Sequence, residues 1–255
     1  FMSLYVPAGE YANVEFYLSN LTFEELNPQL KLGAAIATGG GDYLTYQPLF
    51  SGIYRAQSPV SLTGNLAEWN PAMPIKIGTK SQAAIGFWQG EKDLNAETYL
   101  LWDDKNLYFA ANVTDDEHVQ DHTAGGMWQG DSIQIAFDTL NNAQPAVGYD
   151  TDDYEYGLAL TATGPEVFCW HSAGGQPTGM NVKLTVTKTA TGLFYEAVFP
   201  WETLKPLTPE PGKIFGYTIL INDADKSRSR HWLEWTAGIG VYKNPAAFGK
   251  LIFFK

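Results

Sequence analysis

The residues with chemistry to offer are aromatic rings and carboxylates set among glycines and amides, with few nucleophiles or bases. Trp128 stands in Gly126-Met127-Trp128-Gln129-Gly130, and Tyr242 in Gly240-Val241-Tyr242-Lys243-Asn244-Pro245. Trp88 and Trp170 also sit beside Gly, Gln or His. A ring framed this way is placed in or beside a loop, where its face can stack on the apolar C–H face of a sugar while amides and charges take the hydroxyls. The competing role for any Trp is burial, and it is the expectation for Trp69, Trp102 and Trp201. Arg228-Ser229-Arg230-His231-Trp232-Leu233-Glu234-Trp235 is the densest polar-aromatic run. Read as a strand, it puts Arg230, Trp232 and Glu234 on one face and His231, Leu233 and Trp235 on the other. An arginine here can donate paired hydrogen bonds to adjacent hydroxyls, or simply pair with a surface Glu. Ligand contacts are therefore expected from Trp128, Tyr242, Arg230, Trp170 and Trp235.

Carboxylates recur as Asp103-Asp104, Asp115-Asp116-Glu117, Asp150-Thr151-Asp152-Asp153 and Asp223-Ala224-Asp225. Most fall at expected strand ends, where Asp builds turns by bonding its own backbone. None matches the calcium loop of an EF-hand, yet Ca²⁺ held by loop Asp residues and carbonyls is a reasonable cofactor. Spacing alone assigns it no ligands. G-x-S-x-G, H-E-x-x-H, a P-loop and a dinucleotide fingerprint are all missing. Cys169, in Val167-Phe168-Cys169-Trp170, reads as a buried small hydrophobe. His118 and His122 are four apart but in loop-like sequence, a poor zinc pair. The reading is non-catalytic, with no organic cofactor.

These side chains need elements to hold them. Alternation is clean in Asn106–Val113, where Leu107, Phe109, Ala111 and Val113 share a face, and in Asp131–Asp138 through Ile133, Ile135 and Phe137. Further faces follow at Tyr154/Tyr156/Leu158/Leu160, Leu184/Val186, Leu193/Tyr195/Ala197/Phe199 and Phe215/Tyr217/Ile219/Ile221, and Leu251–Phe254 closes the chain. Pro200–Leu204 has room for a turn of helix before Pro206 stops it. Many strands with uneven loops and almost no helical period predict an all-β, antiparallel sandwich, immunoglobulin-like or jelly-roll-like in general form. On the faces opposite the core, Gln134 and Glu155 stand isolated among Ala136, Gly157 and Ala159, which leaves space for a shallow polar site above the sheet.

The 255 residues carry 16 Lys and Arg against 28 Asp and Glu, a formal net charge of -12. That balance excludes a nucleic-acid partner, which demands clustered cations. No apolar run is long enough to span a bilayer as a helix. Phe1-Met2-Ser3-Leu4 reads either as the start of a segment within a longer chain or as a processed mature terminus. Residues 1–59 differ in texture: Val14-Glu15-Phe16-Tyr17-Leu18 alternates, then Gly39-Gly40-Gly41-Asp42 and a weakly patterned stretch follow. Two or three strands make no core of their own. This N-terminal β segment is either appended to a main sandwich of residues 60–255 or is the tail of a preceding domain.

Five short segments, in order, resemble family 9 carbohydrate-binding modules. They are Thr63-Gly64-Asn65-Leu66-Ala67-Glu68-Trp69, Trp102-Asp103-Asp104-Lys105-Asn106-Leu107-Tyr108-Phe109, Val113-Thr114-Asp115-Asp116, Gly130-Asp131-Ser132-Ile133-Gln134-Ile135, and Asn244-Pro245-Ala246-Ala247-Phe248-Gly249-Lys250-Leu251. The resemblance covers roughly residues 60–255. It implies a non-catalytic sandwich linked to a secreted or periplasmic bacterial polysaccharide-degrading enzyme, often with calcium, in which two aromatics clamp an oligo- or polysaccharide. By this resemblance Tyr242, just before the Asn244–Leu251 segment, falls where one clamp ring is often found, and Trp128, in the loop before the Asp131 strand, is the candidate for the other. Thr63 stands in place of the usual Asp, and Tyr242 in place of a Trp. Two other readings remain open. One is an accessory domain with a degenerate site. The other is the related dopamine-hydroxylase N-terminal-type sandwich, where haem would take Met127 or Met180 with His171 or His231.

Overall fold

The computed structural model describes residues 35–37, 43–45, 50–83, 88–144, 147–173, 181–226 and 230–255. The alternating segment at Val14–Leu18 and the glycine run at 39–41 lie outside them. β1 (Ala35–Ala37) and β2 (Tyr43–Thr45) form a separate antiparallel ribbon.

All other described strands belong to one folded-over sheet. One layer contains β10 (Lys183–Lys188), β11 (Gly192–Pro200), β6 (Asn106–Asp115) and β5 (Leu94–Trp102), with β4 (Ile75–Ile77) on the edge of β5. The other contains β14 (Gly249–Phe253), β12 (Ile214–Asp223), β7 (Ser132–Asp138), β8 (Asp153–Thr161) and β9 (Gly164–His171), in that order. β13 (His231–Glu234) continues the β14 side of β12, so β12 pairs first with β14 and then with β13. β3 (Phe50–Arg55) joins the layers, running parallel to β14 on one side and to β5 on the other. The remaining described strand pairs are antiparallel, so the architecture is an all-β sandwich.

Period-two alternation explains the core. Phe109, Ile133, Ile135, Phe137, Tyr156, Tyr195, Phe199, Phe215, Tyr217, Ile219 and Phe253 face inward and are buried together. Phe137 packs edge-on against Phe199, and Tyr156 does the same. The faces opposite are not left to solvent. On the first layer Trp69, Tyr99, Leu101, Tyr108, Ala110 and Phe194 form a second cluster. Glu196, fully buried there, accepts hydrogen bonds from Trp69 Nε1 (3.1 Å) and Gly64 N (2.6 Å). The first of the five quoted segments thus acts as a cover plate pinned to β11. The expected burial of Trp69, Trp102 and Trp201 holds: Trp102 Nε1 donates to Phe254 O (2.9 Å) and Trp201 Nε1 to Asp103 O (2.8 Å). Trp201–Leu204 forms a 3-10 turn, followed by a cis Lys205–Pro206 bond.

The sandwich begins earlier than residue 60. Ile53 of β3 is buried in the core, Ile53 O accepts from Phe254 N (2.8 Å), and Ala56 N donates to Trp102 O (2.7 Å). The last strand of the N-terminal segment is therefore an internal member of the sheet.

Candidate functional site

On the outer face of β12, β7 and β8, Ala136, Leu220, Trp232, Ile239 and Phe248 make a third apolar cluster. Above it lies a cavity of about 420 Å³, within the range of small-ligand pockets. Gln134, Glu155, Asn222, Arg230, Trp232, Trp128, Trp170, Tyr242 and Lys243 line it. Strand parity determines which side chains arrive. Ile219 and Ile221 point into the core, so Leu220 and Asn222 point out; the β12–β13 register sets Asn222 opposite Trp232 and Asp223 opposite His231.

Six of the seven side chains named from sequence meet here: Trp128, Tyr242, Glu155, Gln134, Arg230 and Trp170. Trp235 does not. It is buried in the core beside Tyr217, with Gly249 tight against its ring. The alternation that groups it with His231 and Leu233 is the physical reason. Trp88 also turns inward; it packs on the core and its Nε1 donates to Leu94 O (2.7 Å). Asn222, Trp232 and Lys243 are lining residues that sequence reasoning left out. Parity on β12 and β13 was the signal for the first two.

Arg230 is held from several sides. Its guanidinium lies 4.8 Å from the centroids of both Trp128 and Trp232, and Nη1 donates to Asn222 Oδ1 (2.6 Å) and Trp128 O (3.3 Å). Glu155 is only 2% exposed. Its Oε1 accepts from Lys243 Nζ at 2.8 Å, whereas Oε2 is buried with no hydrogen-bond partner. The Tyr149 hydroxyl, buried near Glu155, also lacks a well-formed bond; burial first, then Glu155, pushes its pKa well above the usual phenol value. Gly157 is required where Trp170 crosses β8, because a Cβ there would sit 2.5 Å from the indole. Trp170 Nε1 donates to Gly125 O (3.0 Å). Trp128 and Tyr242 remain 40% and 67% exposed, so both keep ring surface for a ligand.

Carboxylates gather in other places. Asp93, Asp223 and His231 bring ligand atoms within 4.8 Å of one another, as do Asp93, Asp116 and Asp225; a third group is Asp115, His118 and Asp131, and a fourth Asp138, Asp152 and Asp153. Many of these side chains also build turns, as the sequence suggests: Asp115 accepts from Glu117 N and Asp150 from Asp152 N. Two features go beyond turn building. Asp223, 1% exposed, has neither carboxylate oxygen in a hydrogen bond, and His231 Nε2 lies 3.0 Å from Oδ2 without the alignment such a bond needs. Asp153 Oδ1 is buried without a partner. Burial drives Asp131 up to about 6 and Asp153 up to about 7, with neighbouring carboxylates adding to both. Hard oxygen donors whose charge is this costly to keep fit a divalent cation. His118 Nδ1 pairs with Asp131 Oδ2 (3.1 Å); His122 belongs to none of the groups.

The haem ligands are not set for that role. Met127 is fully buried with its Sδ against Gly157, His171 packs at a tilt on Tyr149 and its Nε2 meets Asp150 O (2.8 Å), and His231 faces Asp223; Met180 lies outside the described residues.

Comparison with known proteins agrees with this architecture. Residues 64–255 match the family model for carbohydrate family 9 binding domain-like sequences. An endo-1,4-beta-xylanase A of Thermotoga neapolitana is 28% identical over 191 residues, covering 73% of this chain. An endo-1,4-beta-xylanase A of Thermoanaerobacterium saccharolyticum is 26% identical, covering 72%. The chain spans only 16% and 14% of those two relatives. A family 9 carbohydrate-binding module from Caldicellulosiruptor kristjanssonii, solved with cellotriose, superposes with a TM-score of 0.61 at 23% identity, covering 80% of this chain and 93% of that one. The same organism's module with glucose gives 0.60 at 21%. The family match over most of the sheet, on a fold shared with those modules, makes this chain a member of the carbohydrate family 9 binding domain-like family, a non-catalytic carbohydrate-binding module.

Proposed function

We propose that the cavity over β12, β7 and β8 binds one end or one short stretch of a glucan- or xylan-type saccharide. The observation that carries this reading is the buried Glu155 carboxylate, whose Oε2 makes no well-formed hydrogen bond, set in a wall that also presents the exposed faces of Trp128 and Tyr242. A hydroxyl satisfies the carboxylate oxygen, while the C–H faces of the ring lie on the aromatics. Arg230 and Lys243 donate to further hydroxyls, and Gln134 and Asn222 offer amides. An acceptor of this kind rejects analogues lacking the hydroxyl, since it would stay desolvated and unpaired.

The module would serve a larger, secreted bacterial polysaccharide-degrading enzyme by holding it to substrate. Support comes from the relatives, which are bacterial xylanases several times longer than this chain. Ca²⁺ is the cofactor the carboxylate groups suit best. Asp93, shared by the group with Asp223 and His231 and by the all-carboxylate group with Asp116 and Asp225, would be one of its ligands, and its part would be structural, neutralising buried charge. Calorimetric titration with cellotriose, glucose and xylo-oligosaccharides tests the reading. Saturable binding that is lost in Trp128→Ala and Tyr242→Ala, with the thermal midpoint unchanged, is expected. Binding that survives both changes would move the site elsewhere.

A further inference from the structure

The saccharide cavity and the Asp93–Asp223–His231 group lie on opposite faces of the same two strand ends. Asn222 and Asp223 are neighbours on β12, and Arg230 and His231 are neighbours where β13 begins. Alternation sends Asn222 and Arg230 to the cavity, where they bond each other at 2.6 Å. It sends Asp223 and His231 the other way, where His231 Nε2 stands 3.0 Å from Asp223 and 3.4 Å from Asp93. Consecutive residues of a strand are separated by only about 3.3 Å, so any displacement of Asp223 or His231 moves Asn222 and Arg230.

We propose that cation binding at the Asp93–Asp223–His231 group controls saccharide affinity, by fixing the backbone that presents Arg230 and Asn222. The proposal rests on the saccharide and calcium readings above. Asp223, buried, has only the misaligned His231 Nε2 beside one oxygen and a hydrogen bond to neither, which points to a ligand there; Asp93 and Asp225 add like charge close by. Without a cation, that repulsion acts where the β12–β13 ladder ends, at the Asp223–His231 pair. With one, the pair is clamped, and Arg230 keeps its place between the two indoles. Because binding equilibria are linked, saccharide must strengthen cation binding by the same factor.

The test measures cellotriose affinity of chelator-treated protein and of protein saturated with Ca²⁺, well below the metal-free thermal midpoint. Ca²⁺ should raise the midpoint and tighten cellotriose about fivefold or more, the low end of typical coupling. Ca²⁺ affinity measured with and without cellotriose should change equally. Asp93→Asn, at a residue that does not line the cavity, should abolish the calcium dependence and leave weak saccharide binding. Asp153→Asn, in the separate group at the root of β7 and β8, should preserve it. If Ca²⁺ raises the midpoint but cellotriose binds equally in both states, the coupling is wrong while both sites stand. Loss of the calcium effect in Asp153→Asn rather than Asp93→Asn assigns it to the other group and overturns the proposal. No metal uptake with no midpoint change removes the calcium reading, and no cellotriose binding in either state removes the saccharide reading; each takes the proposal with it. Should Asp93→Asn fail to fold, the reciprocal titrations on unmodified protein still decide.

Discussion

Arg230 enters the cavity with an indole on each side and Asn222 at one end, so most of the entropy of ordering a long side chain is lost before a ligand arrives. Arg230→Lys keeps the charge and loses the planar stack and the paired donors, and calorimetry should show at least a tenfold weaker saccharide. Trp128→Ala acts twice, removing a stacking face and freeing Arg230. A loss of roughly 2 kcal/mol, about thirtyfold in affinity, is expected there. Trp201→Ala is the contrast: its ring is buried against Phe253, so about 3–5 kcal/mol of stability should go and binding per folded molecule should stay. Cys169 has a different fate. Burial pushes its thiol up to about 11, and Sγ is 3.0 Å from His171 O. A thiol reagent at neutral pH should therefore label it only after denaturant unfolds the chain.

At the level of the strand, parity carried most of what could be read in advance. The outward positions of β7 and β8 gave Gln134 and Glu155, and the two faces of the β13 run separated Arg230 and Trp232 from His231. The same rule would have removed Trp235, whose polar surroundings in sequence outweighed its parity. β3 was hidden because Gly52 interrupts its alternation. No side chain fits at that position, since a Cβ would meet the Phe254 ring at 2.2 Å. The carboxylate groups were illegible for another reason. Asp93 is far along the chain from Asp223 and His231, and only the fold brings it to the end of the β12–β13 pair. Glu234 shows what parity implies for pH. It faces outward beneath the Gly240 loop, accepts from Gly240 N, and burial raises its pKa. A carboxyl raised in the folded state costs stability once ionised, so this cost is absent below the unfolded value and complete above the folded one. Glu234→Gln keeps the acceptor and removes the titration. Urea unfolding should show the variant gaining on the parent as the pH rises from about 4 to about 7, through the ordinary carboxylate range and above it. An equal difference at both pH values would mean that Glu234 is solvated in the folded state.

For the molecule as a whole, β3 decides whether two half-sheets become one sandwich. The family match begins at residue 64, yet the strand between β14 and β5 is Phe50–Arg55. Its removal would expose the facing edges of both neighbours and open the core at Ile53. The Tyr54 contact with Phe254 (5.6 Å between centroids) and the Ala56 bond to Trp102 O would go as well. Unpaired edges of this kind invite association between chains, and a missing central strand leaves apolar surface that nothing else covers. Two truncations separate this from ordinary N-terminal trimming. A chain starting at residue 46 keeps β3 and should unfold cooperatively, with a midpoint near that of the full 255 residues. A chain starting at residue 60 contains everything the family match covers but lacks β3. It should be insoluble or melt without cooperativity, and should lose saccharide binding, because β14 carries the chain that leads from the Tyr242 loop. Adding a peptide of residues 48–58 in excess should recover part of the cooperative transition. If the residue-60 chain instead folds with an unchanged midpoint and binds cellotriose like the parent, β3 is dispensable, and the sandwich closes without the parallel strand that joins its layers.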